Sequence, residues 1–314
     1  MTGILYNCIS HSSTFPVDTT THLYNNTRVV YALPRTVSAR KAKGIVFLAY
    51  GCGHSAKDWE DKGGLPVEQR IVKHVVDQGL IAFAVSGTGR SHCWRKEDVS
   101  RVRAGYRFLQ RKLKLYSGEM ALYAIGCSSG GSLVSVLPRH ITVSGVGIIA
   151  AVARNNVLRG RGATDMHPKY PPAAFVSFQR DPTGMDRIRE NIKTLKRMRV
   201  PTAHFTARSK VIDPPYFYLN SVTVSKKTSQ AIYEAFLEKD IIDSNGWLKQ
   251  DPRLSLWRDA LANVSGIEND NLQLDKSPIS ELMNVAWAQH ELTAEFVPEI
   301  LDFFLAAGRR ARPT

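Results

Sequence analysis

The sequence predicts an α/β protein built on a mostly parallel, doubly wound sheet. Three observations carry this. Short apolar and β-branched runs alternate with amphipathic stretches, one such run turns directly into a helix at a glycine-flanked serine, and a long helical stretch breaks the alternation near the end. With 314 residues, 43% of them hydrophobic, the chain can bury one large core, with or without a small cap. No Pro/Gly/Ser-rich linker divides it, so residues 27–314 read as one domain behind a polar extension over 1–26.

The elements follow in order. Arg28 to Leu33 reads as an early strand and Gly44 to Ala49 as the next. Leu80 to Val85 reads as a third strand, between helices at about 65–78 and 98–115, and Leu122 to Ile125 and Val143 to Ala150 continue the alternation. A helix with Met185, Ile188, Ile192, Leu195 and Met198 on one face leads to a short strand from Thr202 to Ala207. The final helix carries Leu292, Phe296, Ile300 and Phe303 or Phe304 on one face.

Residues at about 208–285 form an insertion. They contain a helical pattern over Thr228–Lys239 with Ile232 and Phe236, a polar turn at Asp243-Ser244-Asn245-Gly246, and a helix around Trp257 and Leu261. A structureless loop of that length does not suit a compact domain. Two readings stay open: a helical cap over the active site, or a peripheral helical extension.

The chemistry is concentrated at Leu122-Tyr123-Ala124-Ile125-Gly126-Cys127-Ser128-Ser129-Gly130-Gly131. Gly-x-Ser-x-Gly between an apolar strand and a helix start describes a nucleophile elbow. Side chains at 126 and 130 would collide in a turn that tight, and the strain exposes the Ser128 oxygen above the sheet. The Ser129 amide, at the start of the helix, points at any oxyanion formed there. Cys127, one place earlier on the strand, should face the opposite way, into the packing.

A second loop adds to this. The run Gly44–Ala49 opens into Tyr50-Gly51-Cys52-Gly53-His54-Ser55, with Asp58-Trp59 following. The two loops together resemble the α/β-hydrolase superfamily of serine hydrolases, whose strand beside the elbow ends in a glycine-containing loop that donates the second oxyanion amide. By position that donor is Cys52. Tyr50 replaces the family's usual histidine, which removes a supporting side chain but not the backbone amide. The resemblance implies an α/β-hydrolase fold with a helical insertion before the catalytic histidine, and a triad in the order Ser, acid, His.

Among the histidines after the elbow, the resemblance favours His290, in Trp287-Ala288-Gln289-His290-Glu291-Leu292, because the family's histidine sits just before the last helix. His204 lies in a strand run, His140 ends the elbow helix, and His167 lies in a loop. Two acids compete. Tyr170 to Phe178, followed by Gln179-Arg180-Asp181-Pro182, resembles the family's seventh strand with its acid just beyond, which favours Asp181. Asp213, in Val211-Ile212-Asp213-Pro214, follows the next strand and is the alternative. Either aspartate could instead be a turn residue before proline.

The expected activity is cleavage of an ester, thioester or similar acyl bond of a small-molecule substrate, with Ser128, His290 and Asp181 catalytic, Cys52 and Ser129 forming the oxyanion hole, and no cofactor or metal. The competing reading is a catalytically silent protein of the same fold that binds an anionic ligand, a lipid surface or a partner. The formal net charge is +14, with basic residues crowded in Arg90–Lys114 and Arg187–Arg199. That charge suits anionic substrates or an anionic membrane surface. No nucleic-acid motif or aromatic platform accompanies it, so nucleic acid is not an expected partner. The polar N-terminus lacks a signal-peptide layout, and no apolar run would span a bilayer. The four cysteines, Cys8, Cys52, Cys93 and Cys127, lack metal spacing and read as free thiols of a reducing, cytoplasmic compartment.

Overall fold

The computed structural model describes residues 17–115, 120–160, 169–262, 264–267 and 272–310. Eight strands form one sheet: β1 Thr19–Tyr24, β2 Thr27–Ala32, β3 Ile45–Ala49, β4 Ile81–Val85, β5 Leu122–Cys127, β6 Gly145–Ile149, β7 Ala173–Phe178 and β8 Thr202–Ala207. Their order is β1-β2-β4-β3-β5-β6-β7-β8. β1 and β2 pair antiparallel, as do β2 and β4, and every later pairing is parallel.

The helices that flank the sheet are α1 Pro66–Asp77, α2 Val99–Lys112, α3 Ser129–Val136, α4 Asn155–Arg159, α5 Pro182–Arg197 and α10 Val297–Arg310. Between β8 and the end lie α6 Tyr216–Asn220, α7 Lys226–Glu238, α8 Trp257–Leu261 and α9 Pro278–Trp287. Strands β3 to β7 are buried along their whole length. Continuous apolar runs such as Ile45–Ala49 follow from this, since a central parallel strand is covered on both faces. One side chain of α10 locks it to the centre of the sheet through two contacts. Phe304 stacks on Tyr123 with ring centroids 5.4 Å apart, and a Cβ on Gly145 would come within 2.6 Å of Phe304.

The extension read over 1–26 contains a strand. Thr19–Tyr24 is the edge strand β1, in register from Thr19 opposite Ala32 to Tyr24 opposite Thr27. Its Thr-Thr-Thr-His-Leu-Tyr sequence lacks an apolar run because an edge strand exposes most of its side chains, and Leu23 is 76% exposed. Residues 1–16, including Cys8, and His167 lie outside the described residues.

The insertion has a core of its own, in which Ile212, Phe217, Ile232, Phe236, Trp257, Leu261, Leu282 and Met283 are buried together, apart from the main core. The Asp243–Gly246 turn forms as read: the Asp243 carboxylate accepts the Asn245 and Trp247 amides at 2.9 Å, and Gly246 takes φ +83°. Among the described residues, no helix is long and apolar enough to cross a membrane.

Candidate active site

Ser128 sits between β5 and α3 at φ 53°, ψ −116°, a conformation that costs a non-glycine residue energy and persists only where the surroundings enforce it. The glycines explain the enforcement. A Cβ on Gly126 would lie 2.5 Å from the Gly130 carbonyl oxygen, and one on Gly130 would lie 2.4 Å from the carbonyl oxygens of both Ala49 and Tyr50. The Ser128 amide donates to the Ile149 carbonyl at 2.9 Å, anchoring the turn to β6. Cys127 is buried, and burial pushes its thiol well above the usual range, so beside Ser128 it packs rather than reacts. Ser129 is the first residue of α3, so its amide has no partner a turn back.

The loop after β3 runs beside the elbow, where a Cβ on Gly51 would lie 3.7 Å from the Ser128 Cβ. Tyr50 is fully buried and supports this loop from beneath. Its hydroxyl accepts the Gly87 amide at 2.6 Å, its carbonyl accepts the Trp94 indole N–H at 2.9 Å, and its ring lies 4.6 Å from the Trp94 ring. Burial raises its phenol to about 12, so it stays a neutral hydroxyl. The expectation that Tyr50 leaves this loop without a supporting side chain is corrected: its own hydroxyl and ring support the loop.

The free-thiol reading is corrected. Cys52 and Cys93 form a disulfide across a sequence separation of 41, and the Gly53 amide donates to the Ser91 carbonyl at 2.8 Å alongside it. The bridge ties the Cys52 loop to the segment after β4. Neither cysteine lies in a recognisable spacing; the fold brings their strands, β3 and β4, side by side. Disulfides persist in oxidising surroundings, so free thiols no longer argue for a reducing compartment.

His290 follows α9 after Ala288, which closes that helix in the left-handed region at φ 56°. Its Nε2 lies 2.9 Å from the Ser128 Oγ. Burial and, less strongly, Arg253 lower the imidazole below its usual range, while Asp181 acts the other way. At neutral pH it is therefore an uncharged base. Arg253, in the insertion, donates to the His290 carbonyl at 2.9 Å and to Glu291 at 3.1 Å. Nothing in its local sequence, a polar stretch between helices, marks it.

Asp181 lies beyond β7 as the N-cap of α5, where its carboxylate accepts the Gly184 amide at 2.9 Å. It lines the same cleft as Ser128 and His290, but its hydrogen bond goes to the helix and it reaches the imidazole only through its charge. Asp213 is exposed at the start of the insertion, where its carbonyl accepts the Tyr216 amide at 3.0 Å, and it does not line the cleft. The other histidines stand elsewhere: His204 on β8 pairs with Ser177 at 2.9 Å, and His140 is exposed with its carbonyl taken by Arg103.

The cleft holds about 390 Å³ and is lined by Ser128, Ser129, Ser132, Ser177 and Thr183, and by Ala150, Val152, Phe178 and Ile188; the Ser177 hydroxyl is itself engaged by His204 and Thr206. No residue of the insertion lines it. Behind it lies a group of ionisable residues that sequence reading missed. His54 pairs with Asp58 at 3.4 Å, and the buried Glu281 accepts the Val67 amide at 3.0 Å. Burial alone would depress His54, but the Asp58 hydrogen bond and the charges of Glu68, Asp58 and Glu291 hold it up at about 9. Burial raises Glu68 and Glu281, Glu281 to about 7, so this carboxyl pair holds on to protons well above the usual carboxylate range.

An eight-stranded sheet in the order above, with a strained serine between its central strand and a helix, leaves one architecture. The chain has the α/β-hydrolase fold. No protein-family model matches it, and no curated protein does. Solved structures similar to it include the feruloyl esterase module from Clostridium thermocellum complexed with sinapinate, at 12% identity and a TM-score of 0.47, covering 62% of this chain and 81% of that one. A thermophilic esterase from Thermogutta terrifontis with propionate bound is 12% identical, with a TM-score of 0.43 and coverage of 62% and 84%. A lipase in an open form is 10% identical, with a TM-score of 0.43 and coverage of 61% and 90%. It is the strand order and the elbow that identify this α/β-hydrolase fold.

Proposed function

We propose that this protein is a serine hydrolase that cleaves an ester, thioester or similar acyl bond of a small molecule. The observation that carries the reading is the 2.9 Å contact between Ser128 Oγ and a neutral His290 Nε2 across a separation of 162 residues, with the serine held in a strained elbow. Such a pair has little structural purpose, because strained backbone is retained where function requires it.

The mechanism follows from the geometry. Ser128 Oγ attacks the carbonyl carbon as its proton passes to His290 Nε2, and the carbonyl oxygen becomes an oxyanion facing the amides of Cys52 and Ser129, each lowering the barrier by ~3 kcal/mol. Collapse of the tetrahedral species expels the leaving group, which takes the proton back from His290. Water then enters by the same steps, His290 removing its proton, to free the acid and restore Ser128. Asp181 is the acid of this proposal, since of the two candidates it lines the cleft and its charge favours the imidazolium formed during turnover.

The test is labelling with a fluorophosphonate followed by peptide mapping. Modification at Ser128, absent in Ser128→Ala and suppressed in His290→Gln, is the expected result. Modification at Ser129, or none in a folded sample, would end the serine-hydrolase reading and favour the silent, ligand-binding one.

A further inference from the structure

We infer that Arg187 binds a carboxylate carried by the substrate, away from the bond that is cleaved; the inference rests on the serine-hydrolase reading and names its substrate class. Arg187 lies on α5 and lines the wall of the cleft that holds Ser128 and His290. Among the described residues it takes part in no ion pair and no hydrogen bond.

The reason is local. The acids nearest to it along the helix are engaged with other cations: Asp186 with Arg189 at 2.8 Å and Glu190 with Lys193 at 2.6 Å. The other acid of the cleft, Asp181, gives its carboxylate to the Gly184 amide and faces His290. Arg187 thus brings a guanidinium with no ion-pair partner among the described residues to a cavity whose lining also holds Asp181, His290, serine and threonine side chains, and apolar residues such as Ala150, Phe178 and Ile188.

A guanidinium offers a planar fork of donors that matches a carboxylate, and that of Arg187 is solvent-exposed where it lines the cleft, open to an incoming anion. The cleft's polar lining suits such a substrate better than a long alkyl chain, which would lie against Ser132 and Thr183. The net charge of +14 draws anions toward the protein as a whole, but it selects no position within the cleft. Arg187 does.

The experiment compares kcat/KM for 4-nitrophenyl hemiglutarate, whose acyl group carries the carboxylate, with that for neutral 4-nitrophenyl butyrate, and kcat/KM for 3-(butyryloxy)benzoate, whose leaving group carries it, with that for neutral 3-(butyryloxy)benzamide. We expect one anionic ester to exceed its neutral counterpart by tenfold or more, and which one does so tells the side of the scissile bond on which the anion sits. Arg187→Gln should lower that ratio at least tenfold, Arg187→Lys should retain most of it, and Arg187→Glu should invert it, with thermal midpoints showing that each variant is folded. A wild-type ratio near one for both anionic esters, or a ratio unchanged in Arg187→Gln, overturns the inference.

If no ester is turned over, the serine-hydrolase reading fails while Arg187 can still be judged. Glutarate alone should then raise the thermal midpoint of the wild type and of Ser128→Ala, and should raise that of Arg187→Gln far less. An equal response in all three, or none, overturns the inference on its own.

Discussion

The guanidinium of Arg253 donates a hydrogen bond to the main-chain carbonyl of His290 at 2.9 Å. Through it the insertion holds the loop that carries His290, while Glu291 beside it accepts from the same guanidinium nitrogen at 3.1 Å. The insertion supplies no wall of the cleft, and it meets the His290 loop through this guanidinium. Arg253→Gln should lower kcat by about 10- to 100-fold with a smaller change in KM, since a misplaced base costs rate more than binding. Arg253 also lowers the His290 imidazole, so its removal should move the acid limb of the kcat/KM profile to higher pH. A purely structural role would lower the thermal midpoint and leave the limb where it is.

Asp181 and Asp213 are separated by kinetics. Asp181→Asn keeps the cap of α5, because asparagine caps as well as aspartate does, and should lower kcat by about 10³-fold or more. It should also move the acid limb to lower pH, since Asp181 favours the charged imidazole. Asp213→Asn should cost tenfold or less. A large defect in Asp213→Asn beside a near-normal Asp181→Asn would reverse the roles.

The Cys52–Cys93 bridge makes a prediction for the oxyanion loop. Cys93→Ser leaves the Cys52 amide in the chain but releases its tether, and should lower kcat by about 10-fold as the donor loses its preorganised position. The thermal midpoint should fall as well, because opening a crosslink across 41 residues costs up to about 4 kcal/mol in the chain-entropy picture. Treating the wild type with a dithiol should reproduce both effects, and leave Cys93→Ser unchanged.

His54 ties stability to pH. Its imidazole stands at about 9 in the folded chain against the usual 6.5, facing Asp58, Glu68 and Glu291. The stabilisation is therefore full below about pH 6.5, where both states bind the proton, and is lost as pH rises through 9. Measured thermal midpoints should decline between pH 6.5 and 9, and His54→Gln should flatten that decline. Glu281, raised to about 7 against 4.5, has the same sign at lower pH: unfolding is favoured progressively from about pH 4.5 to 7, as the carboxyl ionises in the unfolded chain first. Glu281→Gln should stabilise the protein more at pH 8 than at pH 5.

By itself, the amino-acid sequence determined the features whose causes are local. The alternation of strands and helices is written in runs such as Ile45–Ala49 and in the 3.6-residue spacing of Ile188, Ile192 and Leu195, and Ser128 is marked by glycines within two residues on either side. The resemblance to the α/β-hydrolases, whose histidine precedes the last helix, pointed to His290, although its contact with Ser128 spans 162 residues. Only the tertiary structure decided the rest. It made Thr19–Tyr24 an edge strand by giving it a neighbour in β2, joined Cys52 to Cys93 by laying β3 against β4, and brought Arg253 to the His290 carbonyl from 37 residues away. It also set Asp181 in the cleft and left Asp213 outside it. The physical reason is range: a tight turn or an amphipathic face depends on neighbours along the chain, whereas an ion pair, a disulfide or a clamped loop depends on where distant segments meet, and no local pattern records that meeting.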